Sequence, residues 1–98
     1  MKFEITFTPE AVEDMRSFKR HERGQIIEGI ETQLEYQPSE ETRNRKRLRP
    51  NQLAEWELRI DKFRVFYDVD THERRVKIIS VGFKKHNRLF IQEEEYRL

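Results

Sequence analysis

The sequence predicts an α+β fold: a small antiparallel-rich sheet with an N-terminal helix hairpin packed on one of its faces. Three observations predict it. Apolar residues recur at helical spacing between Thr8 and Leu34. Period-two alternation marks residues 2–7 and returns from Trp56 onward. The two kinds of stretch are segregated, in the order strand, helix, helix, three consecutive strands, tail. That order belongs to an α+β layer rather than to repeated βαβ units.

Each element has its own signal. "KFEITF" puts Phe3, Ile5 and Phe7 on one face of a short strand. Thr8 then offers an N-cap, Pro9 suits the first helical position, and Glu10 complements the helix dipole. Val12, Met15 and Phe18 follow at helical spacing, with a break expected around His21–Gly24. Ile26, Ile27, Ile30 and Leu34 form the stripe of a second helix, which Pro38 ends; so short a break between helices predicts an antiparallel hairpin. Residues 39–54 lack periodicity and read as a connector. Trp56, Leu58 and Ile60 then point one way, Glu57 and Arg59 the other. Phe63, Val65, Tyr67 and Val69 share a face, with Arg64, Phe66 and Asp68 opposite. Asp70–Arg74 is a turn, and Val76 to Val81 a third strand too apolar to assign an inward face. Asn87 to Leu98 reads as a weak strand or a short helix.

At 98 residues the chain is expected to be one domain, 1–98, large enough for a single core. It has no cysteine, which removes disulfides, thiolate metal sites and thiol nucleophiles. No signal-like or membrane-spanning apolar run is present, so a cytoplasmic protein without membrane contact is the expectation. The net charge of +1 conceals a segregation: residues 1–42 sum to −5, residues 43–91 to +8 and residues 92–98 to −2. A basic half fits a polyanionic partner.

The arginines of "WELRIDKFRVFYDV" sharpen that inference. With Asp61–Lys62 as a two-residue turn, Ile60 pairs with Phe63 and Arg59 with Arg64. Like charges directly opposite on a sheet repel unless something neutralises them. Two readings stand: surface ion pairs with Glu57 and Asp68, or a pair held for an anion.

The order of elements and the stretch "WELRIDKFRVFYDVD…RRVKIISVGFKKHNRLFI" resemble the RelE/ParE superfamily of bacterial toxin–antitoxin toxins. The resemblance covers nearly the whole chain and is most specific over Trp56–Ile91. It implies either of two activities, since RelE-like members cut mRNA in the ribosomal A site and ParE-like members poison DNA gyrase. In the RNA-cutting branch, bases on the open sheet face hold the scissile phosphate. Arg64 matches the family arginine of its strand, and Arg59 falls where the preceding strand carries a lysine or arginine. Lys84 stands near a further family basic residue, with Lys85, His86 and Arg88 close by. Glu57 lies where some related members place a glutamate as base. The family tyrosine near the C-terminus matches Phe90, which has no hydroxyl; its role would be lost or fall to His86, Glu57 or Tyr96.

The resemblance thus implies a catalytic set of Arg59, Arg64, Lys84, His86 and Glu57, working without metal or other cofactor. Arg43, Arg45, Lys46, Arg47 and Arg49, in the run before Pro50, would contact RNA phosphates together with Lys85 and Arg88. His86 lies within the basic segment and is the histidine that could serve acid–base chemistry, whereas His21 and His72 fall at expected turns. Phe66, on the arginine face, would stack a base or lie beneath the C-terminal segment; Trp56 belongs to the core stripe. The implied partners are a cognate antitoxin, in a possible hetero-oligomer, and the ribosome with its mRNA. The leading expectation is a ribosome-dependent endoribonuclease. A gyrase inhibitor without nuclease activity and a weakened relic that binds antitoxin are the alternatives.

Overall fold

The computed structural model describes residues 1–98. Strand β1 (Glu4–Phe7) leads into helix α1 (Pro9–Arg16) and helix α2 (Arg20–Leu34). Strands β2 (Arg45–Arg47), β3 (Trp56–Ile60), β4 (Phe63–Asp70), β5 (Arg75–Lys85), β6 (Arg88–Ile91) and β7 (Glu94–Glu95) follow. They hydrogen-bond in the spatial order β2-β3-β4-β5-β6-β7, all antiparallel, while β1 joins β5 in parallel. This is the expected α+β architecture, with one parallel pair that alternation alone does not announce.

Helix α1 starts as its sequence dictates. Thr8 Oγ1 accepts from Ala11 N at 3.0 Å, and Pro9 and Glu10 occupy the first turn. The break between helices comes earlier than the expected His21–Gly24. Ser17 Oγ turns back to donate to Asp14 O at 2.6 Å, and the Glu22 carboxylate accepts from Lys19 N at 2.9 Å, so α2 begins at Arg20. His21 and Gly24 therefore lie inside α2, not in a turn. Backbone capping, which a glycine search misses, decided the boundary.

The main core lies between the helices and one sheet face. Ala11, Met15 and Phe18 from α1 and Ile26, Ile30 and Leu34 from α2 meet Trp56, Leu58, Phe63, Val65, Tyr67, Val76, Ile78 and Val81. Val12, expected on the apolar stripe, is 42% exposed. Tyr67 stacks on Trp56 at 6.1 Å and donates its hydroxyl to Pro38 O at 2.8 Å, which ties the end of the helical half to the sheet.

Two expectations need revision. The connector over 39–54 is not structureless, for it contains edge strand β2 and a loop clasped by Asn51. The Asn51 amide donates to Arg49 O and Ala54 O and accepts from Leu53 N and Ala54 N. The tail is neither lone strand nor helix but the β6–β7 hairpin. Together these segments cover part of the second sheet face. Ala54, Phe66 and Leu89 are buried there, with Leu48, Leu53, Ile79 and Tyr96 packed around them. Phe66 is thus a small second core rather than an exposed base platform.

Candidate functional site

The part of that face left open is the end near the β3–β4 turn. The hairpin has the expected register: Ile60 is opposite Phe63, and Arg59 is opposite Arg64. Asp61 takes the left-handed backbone, φ 53°, that a two-residue turn needs at its first position. Glu57, one alternation along from Arg59, is half-buried on the same face, opposite Lys46 of β2. Arg64 is paired across β4 and β5 with Gly82, and alternation from Gly82 places Lys84 on this face too.

Arg64 is only 8% exposed. Its Nη1 donates to Asp61 O at 2.7 Å and Phe63 O at 2.8 Å, while its buried Nε has no acceptor. None of the ion pairs in the protein includes Arg59, Arg64, Lys84 or Glu57. Asp68, a candidate neutralising partner, instead accepts from Glu55 N at 2.8 Å. The ion-pair reading of the hairpin therefore fails. Burial pulls the Arg64 guanidinium below the usual arginine range, and the charge of Arg59 adds to that; Glu57 and Asp61 act in the opposite sense. Removing a buried charge from water without pairing it is unfavourable, and an anion between the two forks would offset it. Planar guanidinium groups suit phosphate oxygens two at a time.

The remaining basic residues divide. Arg43, Lys46 and Arg49 are exposed, Lys46 on the arginine face. Arg45 is a strut rather than a surface charge: it is buried, and its guanidinium donates to Glu40 O at 2.9 Å and Gln33 O at 2.6 Å. Arg47 lies over the Trp56 ring at 5.6 Å, on the helix side of the sheet edge. Lys85 and Arg88 are cross-strand partners on the same helix-side alternation as Phe83 and Phe90, and Arg88 pairs with Glu95 at 3.9 Å. His86 stands exposed at the β5–β6 turn with φ 53°, and Asn87 beside it has φ 64°. The structure therefore gathers Arg59, Arg64, Lys84, Glu57 and Lys46, and leaves Lys85, His86 and Arg88 at a separate hairpin end. Phe90 stacks on Phe83 at 5.5 Å on the helix side, so it is not on the arginine face at all.

A cavity of about 760 Å³ lies elsewhere, lined by Phe18, Phe63, Phe83 and Ile91 among others. The arginine site is not an enclosed pocket: Arg59 stands exposed, Glu57 and Lys84 are half-buried and Arg64 lies almost wholly buried beside them, a shape that suits a polymer better than an enclosed small molecule. Asp14, Asn51 and Gln92 had no sequence signal; their roles arise from contacts made across the chain or within a loop.

A family model described as the ParE toxin of the type II toxin–antitoxin system parDE matches residues 5–88. The chain belongs to the ParE toxin family. The fold agrees with solved toxin–antitoxin structures. One is the RelBE2 toxin–antitoxin complex from Mycobacterium tuberculosis, with TM-score 0.72, 21% identity, and coverage of 86% of this chain and 100% of that one. Another is the archaeal RelE–RelB complex from Pyrococcus horikoshii, with TM-score 0.69, 19% identity, and coverage of 88% and 99%. No curated protein matches significantly. The chain is thus a RelE/ParE superfamily toxin of a type II toxin–antitoxin module. No helix of the toxin is long and apolar enough to cross a membrane.

Proposed function

We propose that this toxin is a metal-independent endoribonuclease that cuts mRNA on the ribosome in the cytoplasm and so inhibits translation. One observation carries the reading: Arg59, exposed, and Arg64, almost wholly buried, are cross-strand partners with no carboxylate paired to either, and Arg64 keeps a buried donor unused. A surface that only met protein would have little reason to retain this repulsion.

In the proposed reaction the ribose 2′-oxygen attacks the adjacent phosphorus. The 2′-O–P bond forms as the P–O5′ bond breaks, leaving a 2′,3′-cyclic phosphate and a 5′-hydroxyl. Glu57 is positioned on the arginine face to take the 2′-OH proton. Arg59 and Arg64 hold the phosphate oxygens as charge builds on them, and Lys84 gives the leaving 5′-oxygen the proton that makes it a hydroxyl. General acid or base help is worth about 10²–10⁴-fold, so a toxin without a tyrosine at Phe90 retains most other sources of catalysis. Lys46, Arg43 and Arg49 extend the basic surface along the RNA, whereas Arg45 belongs to the scaffold. The partner is a cognate antitoxin, as in the solved relatives, and its acidic residues would neutralise the arginines in the resting complex.

The parDE description of the family model favours a second reading, inhibition of DNA gyrase without nuclease chemistry. Purified toxin is incubated with programmed ribosomes and the mRNA ends are mapped, with gyrase supercoiling assayed in parallel. Cutting that Arg59→Ala and Arg64→Lys abolish supports the nuclease. Intact mRNA with inhibited supercoiling sinks it in favour of the gyrase reading.

A further inference from the structure

Strand β5 carries both Gly82, the partner of Arg64, and Lys84, yet the middle of its outer edge lacks a strand neighbour. β1 pairs with it only as far as Ile78, and β6 begins opposite Phe83. Residues 79–82 lie in the gap, and α1 fills it. Thr8 N donates to Ile78 O at 3.0 Å and Thr8 Oγ1 to Ile79 O at 2.9 Å. Asp14, 2% exposed and without a cation partner, does the rest. Its Oδ2 accepts from Ser80 Oγ at 2.7 Å and Val81 N at 3.0 Å; its Oδ1 accepts from Gln92 Nε2 at 2.9 Å.

The same gap contains a β-bulge. Phe66 is opposite Ser80, but Tyr67 is opposite Ile78, so Ile79 is an extra residue. One extra residue reverses the phase of a strand. Before it, Val76 and Ile78 face the helices; after it, Val81 does, with Phe83 packed against the same core. Gly82 and Lys84 are thereby sent to the arginine face. Without the bulge, the alternation begun by Val76 and Ile78 would carry Lys84 to the helix side and bring Phe83 out beside Arg64.

We infer that Asp14 is a positioning residue: by gripping Ser80 and Val81 it pins the bulge at Ile79 and so makes Lys84 share a face with Arg59 and Arg64. The functional meaning rests on the RNA reading above; the placement of Lys84 does not. Asparagine at this position keeps an acceptor for Ser80 and Val81, and its amide NH₂ can face a flipped Gln92, so Asp14→Asn retains the pin. Alanine removes it.

Two readouts test this. The first is the ring contact of Phe83 with Phe18, centroids 6.3 Å apart, seen by proton NMR; it reports which face Phe83 occupies. The second is the salt dependence of binding to a single-stranded RNA oligonucleotide. Lys84→Ala should lower the log–log slope by about 0.7, the value for one phosphate contact on a single strand. Asp14→Ala should abolish the ring contact and make Lys84→Ala silent in that background, while Asp14→Asn preserves both. Persistence of the ring contact and of the Lys84 contribution in Asp14→Ala overturns the inference. Should Asp14→Ala not fold, Ser80→Ala removes one of the two grips and should weaken the ring contact; an unchanged contact overturns the inference equally. If the wild-type protein binds no RNA, the RNA reading fails and the ring contact alone decides the role of Asp14.

Discussion

Replacing Arg59 with alanine should make the free toxin more stable. Arg59 is exposed, Arg64 is its direct cross-strand partner, and no carboxylate pairs with either. At a separation of roughly 6 Å, Coulomb's law in the dielectric of water gives about 0.7 kcal/mol of repulsion. Cross-strand pairs contribute a similar ~0.2–1 kcal/mol. For a domain of about 100 residues, that corresponds to a rise in Tm of about 3–5 °C. The assay is thermal unfolding by circular dichroism at low ionic strength. The gain should vanish near 1 M salt, where the screening length falls to about 3 Å. Inorganic phosphate should act in the opposite sense. At about ten times its Kd it should stabilise the wild type by ~1.4 kcal/mol through mass action, and Arg59→Ala should respond far less. A variant that is less stable than wild type at low salt, or that keeps the full phosphate response, refutes the unneutralised-pair argument.

Three further outcomes are expected. Burial pushes the Tyr67 hydroxyl well above the ordinary tyrosine range, so the folded state resists ionisation that the unfolded chain undergoes near pH 10. Its stabilising contribution is therefore complete below pH 10 and is lost as pH rises, by up to about 1.4 kcal/mol per pH unit; urea unfolding of Tyr67→Phe should show a correspondingly shallower alkaline decline. Gly24 sits inside α2 with nothing within 4 Å of the position a Cβ would take, so Gly24→Ala should raise stability by about 0.5–1 kcal/mol in denaturant titration. Phe90→Tyr should leave mRNA cutting unchanged in a ribosome assay, because its hydroxyl would join the Phe83 stack on the helix side; a large gain in cutting would contradict the assigned face.

What could be read in the sequence was local. The Arg59–Arg64 juxtaposition was legible because a two-residue turn at Asp61–Lys62 fixes register by counting. The stripe of Ile26, Ile30 and Leu34 and the inward Trp56, Leu58, Val65 and Tyr67 were legible because burial repeats with the backbone period. Capping was less legible, for the α1–α2 boundary depends on the Glu22 carboxylate closing on Lys19 N, while Gly24, the residue with the stronger break signal, lies inside α2. Arg45 looked like its basic neighbours in "RNRKR", but one residue of a three-residue edge strand points inward, and it became an anchor for the Gln33 and Glu40 carbonyls.

The sequence by itself determined the family, the class of fold and the paired arginines, since each follows from order, period and short-range spacing. Only the tertiary structure decided which charges share a face. The apolar run Val76 to Val81 carries no phase, because both faces of β5 are covered. Its phase is set at Ile79 by a carboxylate 65 residues earlier in the chain, in a gap that exists only once β1 and β6 have taken opposite ends of one strand edge. Lys84 shares a sheet face with Arg64, and Phe90 lies on the other, for that reason.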